Sequence, residues 1–381
     1  MTDCTRPSPL HPLHMHLMHG LRLLAVAVVL CMGTQAQAAN TRPFLMGFTP
    51  WPWDTEWAAL QDTYNFINAN ADIISHHIEE GVPWTEALAD TAFHPQMMQG
   101  WTLRRDLTGP GLKVFLSLSP IDQMRTGLAR YRGEAPQMPL PAEFANARFN
   151  DPKVKKAYLA YVRRAIDFFR PDYLAIAIEA NELLDNAPQS WPDFVELHVE
   201  TYRALKQSHP GLPVFFTTSV HNVINPERGN PAATWSKVQQ LWRHSDIAAA
   251  SFYPFLQHPL DLANPFVALD ELRRRAGGKP IAITEAGYPA KQPAVEALRN
   301  LPASPEIQMN VYYGLLGRAA SERYTFVIVW AHRDYDALWN RLQGEFPEWG
   351  ALWRDVGILD GEGSARPSRD VWDLFLRMPH R

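Results

Sequence analysis

The chain has 381 residues, of which 46% are hydrophobic and 20% charged, with a formal net charge of −4. That is an ordinary globular balance, large enough to bury a core without disulfides, and it carries no basic footprint for nucleic acid. Thirteen tryptophans stand out; flat aromatic faces suit sugar rings, and they also suit a large core, so the count alone does not choose.

Arg22 precedes the apolar run Leu23-Leu24-Ala25-Val26-Ala27-Val28-Val29-Leu30, and Ala36-Gln37-Ala38 follows as a small-x-small cleavage site. This order of regions predicts a secretory signal peptide over residues 1–38, too short to span a bilayer, and a secreted or periplasmic protein with no membrane span once it is removed. Both cysteines, Cys4 and Cys31, fall in the removed part. The exported chain is therefore expected to hold no disulfide and no thiol ligand or nucleophile.

From residue 44 onward, short apolar runs alternate with longer amphipathic stretches. Strands are predicted at 44–49, 72–76, 113–119, 173–179, 213–219, 247–253, 280–284 and 325–330. Several read as continuous apolar runs, as parallel strands covered on both faces should. Helices are predicted at 151–169, 191–208, 305–321 and 369–376. The first of these has Tyr158, Val162, Ala165, Ile166 and Phe169 at helical spacing, Pro152 in its first turn and Pro171 after its end. Eight strand–helix alternations predict an α/β fold, a (β/α)8 TIM barrel over residues 39–381. An open doubly wound sheet would need a Gly-rich phosphate loop after the first strand, and there is none.

Function in such barrels lies at the C-terminal strand ends. Strand 4 ends in Ile178-Glu179-Ala180-Asn181-Glu182 and strand 7 in Ile283-Thr284-Glu285-Ala286-Gly287-Tyr288-Pro289. Two carboxyls at opposite sides of a barrel mouth suit glycoside cleavage. One must hand a proton to the leaving oxygen, and the other must be ionised to attack the anomeric carbon, about 5–5.5 Å apart in retaining enzymes. Strand 6 ends in Ser251-Phe252-Tyr253-Pro254-Phe255 and strand 8 in Val329-Trp330-Ala331-His332. Glu179 is expected on the other face from Glu182, in a salt bridge outside the barrel.

At these residues the sequence resembles the clan of retaining (β/α)8 glycoside hydrolases with glutamates on strands 4 and 7 (clan A). Ala180-Asn181-Glu182 resembles its acid/base motif, and Ile283 to Pro289 its nucleophile motif in the style of endo-β-1,4-galactanases. The resemblance implies Glu182 as acid/base and Glu285 as nucleophile. It further implies Asn181 on a sugar 2-hydroxyl, Tyr253 orienting Glu285, and Trp330 as the floor of a sugar subsite. The clan's usual Arg at the end of strand 2 is missing: the run is Ser75-His76-His77-Ile78-Glu79-Glu80, which leaves a histidine to take its place.

Adjacent strand residues face opposite ways, so only one of His76 and His77 reaches the mouth; His76 is taken as the strand-end contact. Trp51, Trp53, His221 and His332 are further substrate-binding candidates by their places after strands 1, 5 and 8, and Trp84, Trp191 and Trp339 lie in or near other such loops. No His-x-His or Glu-x-x-His pattern points to a metallohydrolase, so neither metal nor cofactor is expected. The expected partner is a β-linked polysaccharide or oligosaccharide; the rival reading is a non-catalytic carbohydrate-binding barrel, which would need no paired carboxyls.

Overall fold

The computed structural model describes residues 41–381 except 258, 259, 343 and 345–347. The expected signal peptide lies outside the described residues. Arg42–Arg381 form one compact unit. Among the described residues no helix is long and apolar enough to cross a membrane.

Nine strand segments run parallel: β1 Leu45–Phe48, β2 Ile73–Ile78, β3 Lys113–Leu118, β4 Tyr173–Ala175, β5 Val214–Phe215, β6 Thr217–Ser219, β7 Ala248–Phe252, β8 Ile281–Ala286 and β9 Phe326–Val329. Their order is β5-β4-β3-β2-β1-β9-β8-β7-β6. The two ends of this sheet, β5 and β6, are separated in the chain by Phe216 alone. The sheet therefore closes on itself, and β5 with β6 is one barrel strand, the predicted 213–219, broken in the middle. Between strands run α1 Trp57–Asn70, α2 Pro95–Leu107, α3 Pro152–Phe169, α4 Trp191–Ser208, α5 Pro231–Leu241, α6 Val267–Arg275 and α7 Pro305–Glu322, with α8 Pro367–Leu376 after β9. This is the expected (β/α)8 barrel.

Period-2 alternation sorts the strand side chains between two cores. Leu45, Ile73, Phe115, Ala175, Phe215, Ala249, Ala282, Phe326 and Ile328 fill the barrel interior. Phe115 stacks on Phe215 at 5.6 Å and meets Phe326 at 5.1 Å between ring centroids. These rings close the barrel as a packed plug, so polar inward residues further along the strands stand above an apolar floor. The opposite face, with Met46, Phe48, Ile74 and Leu116, packs under the helices.

The N-terminal rim is fastened by a repeated device. Asp72, Asp172 and Asp246 each accept the backbone N–H of a residue on the preceding neighbour strand: Met46, Val114 and Val214, all at 2.8 Å. Each aspartate's own N–H returns to that residue's carbonyl, again at 2.8 Å. The device holds β1 to β2, β3 to β4 and β5 to β7 at the end away from the mouth.

Phe115→Ala would open a cavity in the plug beneath the mouth. It should cost about 3–5 kcal/mol, read as a lowered midpoint in urea unfolding.

Candidate active site

Along β8, Ile281 and Ile283 face the helices while Ala282 faces the interior. Unbroken alternation would send Glu285 outward with the two isoleucines. Instead the pairing with β7 slips: Ala250 is opposite Ile283, but Ser251 is opposite Glu285, leaving Thr284 as an extra residue. This one-residue bulge turns Glu285 into the barrel mouth. Its Oε2 accepts from the Tyr253 hydroxyl at 3.0 Å, and its Oε1 lies 3.6 Å from His77 Nδ1. Burial pushes the carboxyl up to about 7, helped by the charge of Glu179; His77 and the Tyr253 hydroxyl pull the other way.

β2 runs to Ile78, two residues beyond the predicted end. His77 shares the inward face of Ile73, so it is His77 that stands beside Glu285. His76 points outward, 3.1 Å from the Thr108 hydroxyl and against the Phe169 ring of α3 at 5.4 Å. Burial lowers it to about 3 and it stays neutral. The expectation that His76 contacts substrate is therefore corrected, because strand parity assigns that place to its neighbour. His77 Nε2 lies 3.1 Å from Glu79 Oε2, and Glu79 Oε1 accepts from Arg125 Nη1 at 2.5 Å. Burial alone would raise Glu79; Arg125 and His77 outweigh it and hold the carboxylate at about 2. Burial alone would lower His77; Glu79 and Glu285 outweigh it and raise the imidazole.

β4 stops at Ala175, four residues short of its predicted end. Glu179 takes a left-handed backbone (φ 46°), and Ala180–Glu182 form a 3-10 turn. The Glu182 N–H donates to the Glu179 carbonyl at 3.0 Å, and Arg125 lies within the field of both glutamates, so the expected position of Glu179 outside the barrel is overturned. Its Oε2 lies 3.3 Å from Arg125 Nη2, and its N–H donates to the Thr217 hydroxyl at 2.8 Å. Glu182 is pushed up to about 8 by burial and then by Glu179, against Arg125 and a hydrogen bond with Ser219.

Asn181 is fully buried. Its Nδ2 donates to the Ser219 carbonyl at 3.1 Å, and its Oδ1 accepts the Ser219 N–H at 2.8 Å. Rather than facing a sugar hydroxyl, as expected, its amide is used up in fastening the strand-4 turn to β6.

Trp330 leans edge-on against His77, with ring centroids 5.2 Å apart, and lies 6.2 Å from both Trp51 and Trp353. Trp51 is 42% exposed, an aromatic face open to solvent beside the mouth. Trp353 also packs on Tyr253 at 4.5 Å. The Trp53 face is covered by the Arg333 guanidinium at 3.8 Å, and its indole N–H donates to Asp62. His221 sits on the short helix Val220–Ile224, 3.1 Å from the Ser219 hydroxyl and within the field of Glu179. His332 faces away from the mouth: its ring lies 4.8 Å from Phe66 of α1, and burial lowers it to about 3. The expectation that it lines the cleft is corrected. Trp84 and Trp191 are buried in the helix-facing core, and Trp339 is half-buried.

Five residues of this constellation were outside the expected set: His77, which takes the place given to His76, and Glu79, Arg125, Glu179 and Trp353. Arg125 and Trp353 lie in segments without strand or α-helix periodicity, where alternation gives no direction. Glu79 lies two residues after the inward His77, just past the end of β2, and Glu179 was assigned by counting along a strand that has already ended.

Among the described residues, three aspartates, Asp334, Asp336 and Asp355, bring carboxylate oxygens within 4.8 Å of one another. Lys291 Nζ stands 3.2 Å from Asp355 and 3.8 Å from the other two, and Arg366 pairs with Asp334. Side-chain cations thus already balance this cluster.

No protein-family profile matches the chain, and no curated protein does. Solved structures do. The GH53 catalytic domain of Ignisphaera aggregans matches with a TM-score of 0.57 at 15% identity, over 90% of this chain and 98% of that one. The GH5_18 protein of Streptomyces cattleya in complex with GlcNAc matches with a TM-score of 0.62 at 16% identity, over 90% and 83%. A fungal β-1,4-galactanase matches with a TM-score of 0.53 at 16% identity, over 82% and 90%. The chain has the (β/α)8 fold of clan A glycoside hydrolases.

Asn181→Ala should leave both backbone groups of Ser219 short of a buried partner. It should cost about 1–3 kcal/mol in chemical unfolding, whereas Trp51→Ala should change stability by no more than about 0.5 kcal/mol.

Proposed function

We propose that the protein is a retaining glycoside hydrolase that cleaves β-linked polysaccharide or oligosaccharide outside the cytoplasm. Glu285 is the nucleophile and Glu182 the acid/base. The observation that carries this reading is the pair of carboxyls raised by burial at one barrel mouth, each with a different set of partners. Glu285 has a phenol and an imidazole to support its ionised form, the arrangement a nucleophile needs. Glu182 has a carboxylate neighbour that favours its protonated form, the arrangement a general acid needs.

In the first step Glu285 forms a bond to the anomeric carbon as the glycosidic bond breaks, and Glu182 gives its proton to the departing oxygen. In the second, Glu182 takes a proton from water while that water's oxygen displaces Glu285. Trp51 and Trp330 offer aromatic faces for sugar rings, and neighbours of the same fold include structures described with GlcNAc and with Manb1-4GlcNAc bound. The apolar run and cleavage site at the N-terminus support export.

Glu285→Gln keeps the shape and removes the nucleophile. Its kcat/KM should fall by at least roughly a thousandfold, measured by product release from β-galactan, β-glucan, mannan and xylan. Binding without release, equal in the two proteins, would instead assign a carbohydrate-binding barrel.

The pH profile follows from the two raised carboxyls. Activity should be lost as pH falls through about 7, where Glu285 takes a proton, and lost as pH rises through about 8, where Glu182 gives one up. The expected kcat/KM curve is a narrow bell near neutrality. A plateau extending to pH 5 would instead show that Tyr253 and His77 outweigh burial and hold Glu285 ionised.

A further inference from the structure

The charged groups of the mouth form one connected line. It runs from Glu285 to His77 (3.6 Å), to Glu79 (3.1 Å), to Arg125 (2.5 Å) and to Glu179 (3.3 Å). It begins at the proposed nucleophile and ends on Glu179, whose backbone carbonyl accepts the Glu182 N–H at 3.0 Å in the turn that joins the two glutamates. The reaction as written above makes no use of Glu79, Arg125 or Glu179, yet all three are largely withdrawn from solvent.

The backbone is held in place for this pair. Glu179 (φ 46°) and Arg125 (φ 55°) both occupy the left-handed region, which residues with a Cβ avoid. Asp122 fastens the loop of Arg125 through the N–H groups of Thr126 and Gly127, and Thr217 fastens Glu179. Two disfavoured conformations at the two ends of one ion pair, beside a site, suggest that the pair's position matters more than local comfort.

The groups facing Glu182 come from four elements. Glu179 is on its own turn, Glu79 follows β2, Arg125 follows β3, and Ser219 ends β6. The two carboxylates oppose ionisation of Glu182, and Arg125 with Ser219 favours it. His221 faces Glu179 too, but burial lowers it to about 4, so it brings no charge at neutral pH. Glu179 is also the strongest charge acting on Glu285, ahead of His77.

Resting on the assignment of Glu182 and Glu285 given above, we propose that Glu179 is a positioning residue: anchored on Arg125, it sets a fixed negative charge beside Glu182 and so keeps the proton that the leaving group requires on that residue. Arg125 limits the effect, so that Glu182 still releases the proton when the glycosidic bond breaks.

The test replaces the charge with little change of shape. Glu179→Gln should move the basic limb of kcat/KM down by about one pH unit, and the acidic limb should move down with it, because the same charge acts on Glu285. Glu179→Asp, which keeps the charge, should leave both limbs where the wild type has them. A second readout does not depend on turnover: carboxyl-carbon NMR of glutamate-labelled protein, with Glu182→Gln to assign the signal, should show Glu182 titrating at lower pH in the Glu179→Gln protein. An unmoved Glu182 titration in folded Glu179→Gln overturns the proposal. So does loss of turnover of poor leaving groups at every pH with rescue by azide, because that assigns proton transfer to Glu179 itself. Full turnover by Glu285→Gln would sink the nucleophile assignment alone, and binding without release by the wild type the glycosidase reading; in either case the NMR titration would still decide the role of Glu179.

Discussion

Four carboxyl groups share the mouth of this barrel with one guanidinium and one imidazole, and an environment so poor in water cannot keep all four ionised. Burial pushes Glu79, Glu182 and Glu285 toward the protonated form, and the cations decide which escapes. Arg125 and His77 fall to Glu79, which is held deep in the ionised range. Glu285 and Glu182 receive less and are raised. Glu182 and Glu285 are thus raised while Glu79 is lowered, within one connected set of charges. Every element around the mouth serves to hold these groups at their separations: the bulge at Thr284, the left-handed Glu179, the fastening of Asn181 on Ser219.

The barrel itself was legible because its signals are periodic. Apolar strand runs and amphipathic helices gave eight alternations in the right order, and α3, α4 and α7 begin and end within one residue of their predicted bounds. The interior plug follows the same arithmetic, since Ile73 and Phe115 take the inward places of their strands. What escaped were departures from the period. Strand 5 breaks at Phe216, β4 ends four residues early, and β8 gains a residue at Thr284. A bulge or an early strand end leaves composition untouched while reversing or rotating every side chain beyond it.

That is why the site was only half legible. Glu285 was found from its place at a strand end, although the alternation of β8 would have turned it outward without the bulge. Glu179 was placed outside by the opposite error, a strand period carried into a turn. His76 and His332 were chosen for their nearness in sequence to the mouth, but both face the helices, where burial keeps them neutral. Asn181 lies where the motif puts it, yet its amide is committed to backbone. Arg125 had no periodic signal at all, since a loop residue's direction is set by contacts distant in sequence, here Glu79 and Glu179 at separations of 46 and 54 residues.

A histidine rather than an arginine stands beside Glu285, and this bears on how the mouth is balanced. An arginine there would be a permanent cation, indifferent to pH. Glu79 and Glu285 raise the His77 imidazole, so it responds when Glu285 loses its charge. In the proposed mechanism, esterification of Glu285 would remove one of the two anions that favour the protonated form of His77. On that proposed mechanism the imidazole would then become more acidic, while Arg125, fixed between Glu79 and Glu179, would keep its charge throughout. A permanent cation is thus set back from the reacting carboxyl and an adjustable one placed against it. With about 15% identity to solved barrels of the same fold, this chain shares their scaffold, and the way it distributes charge around the mouth has to be read from its own residues.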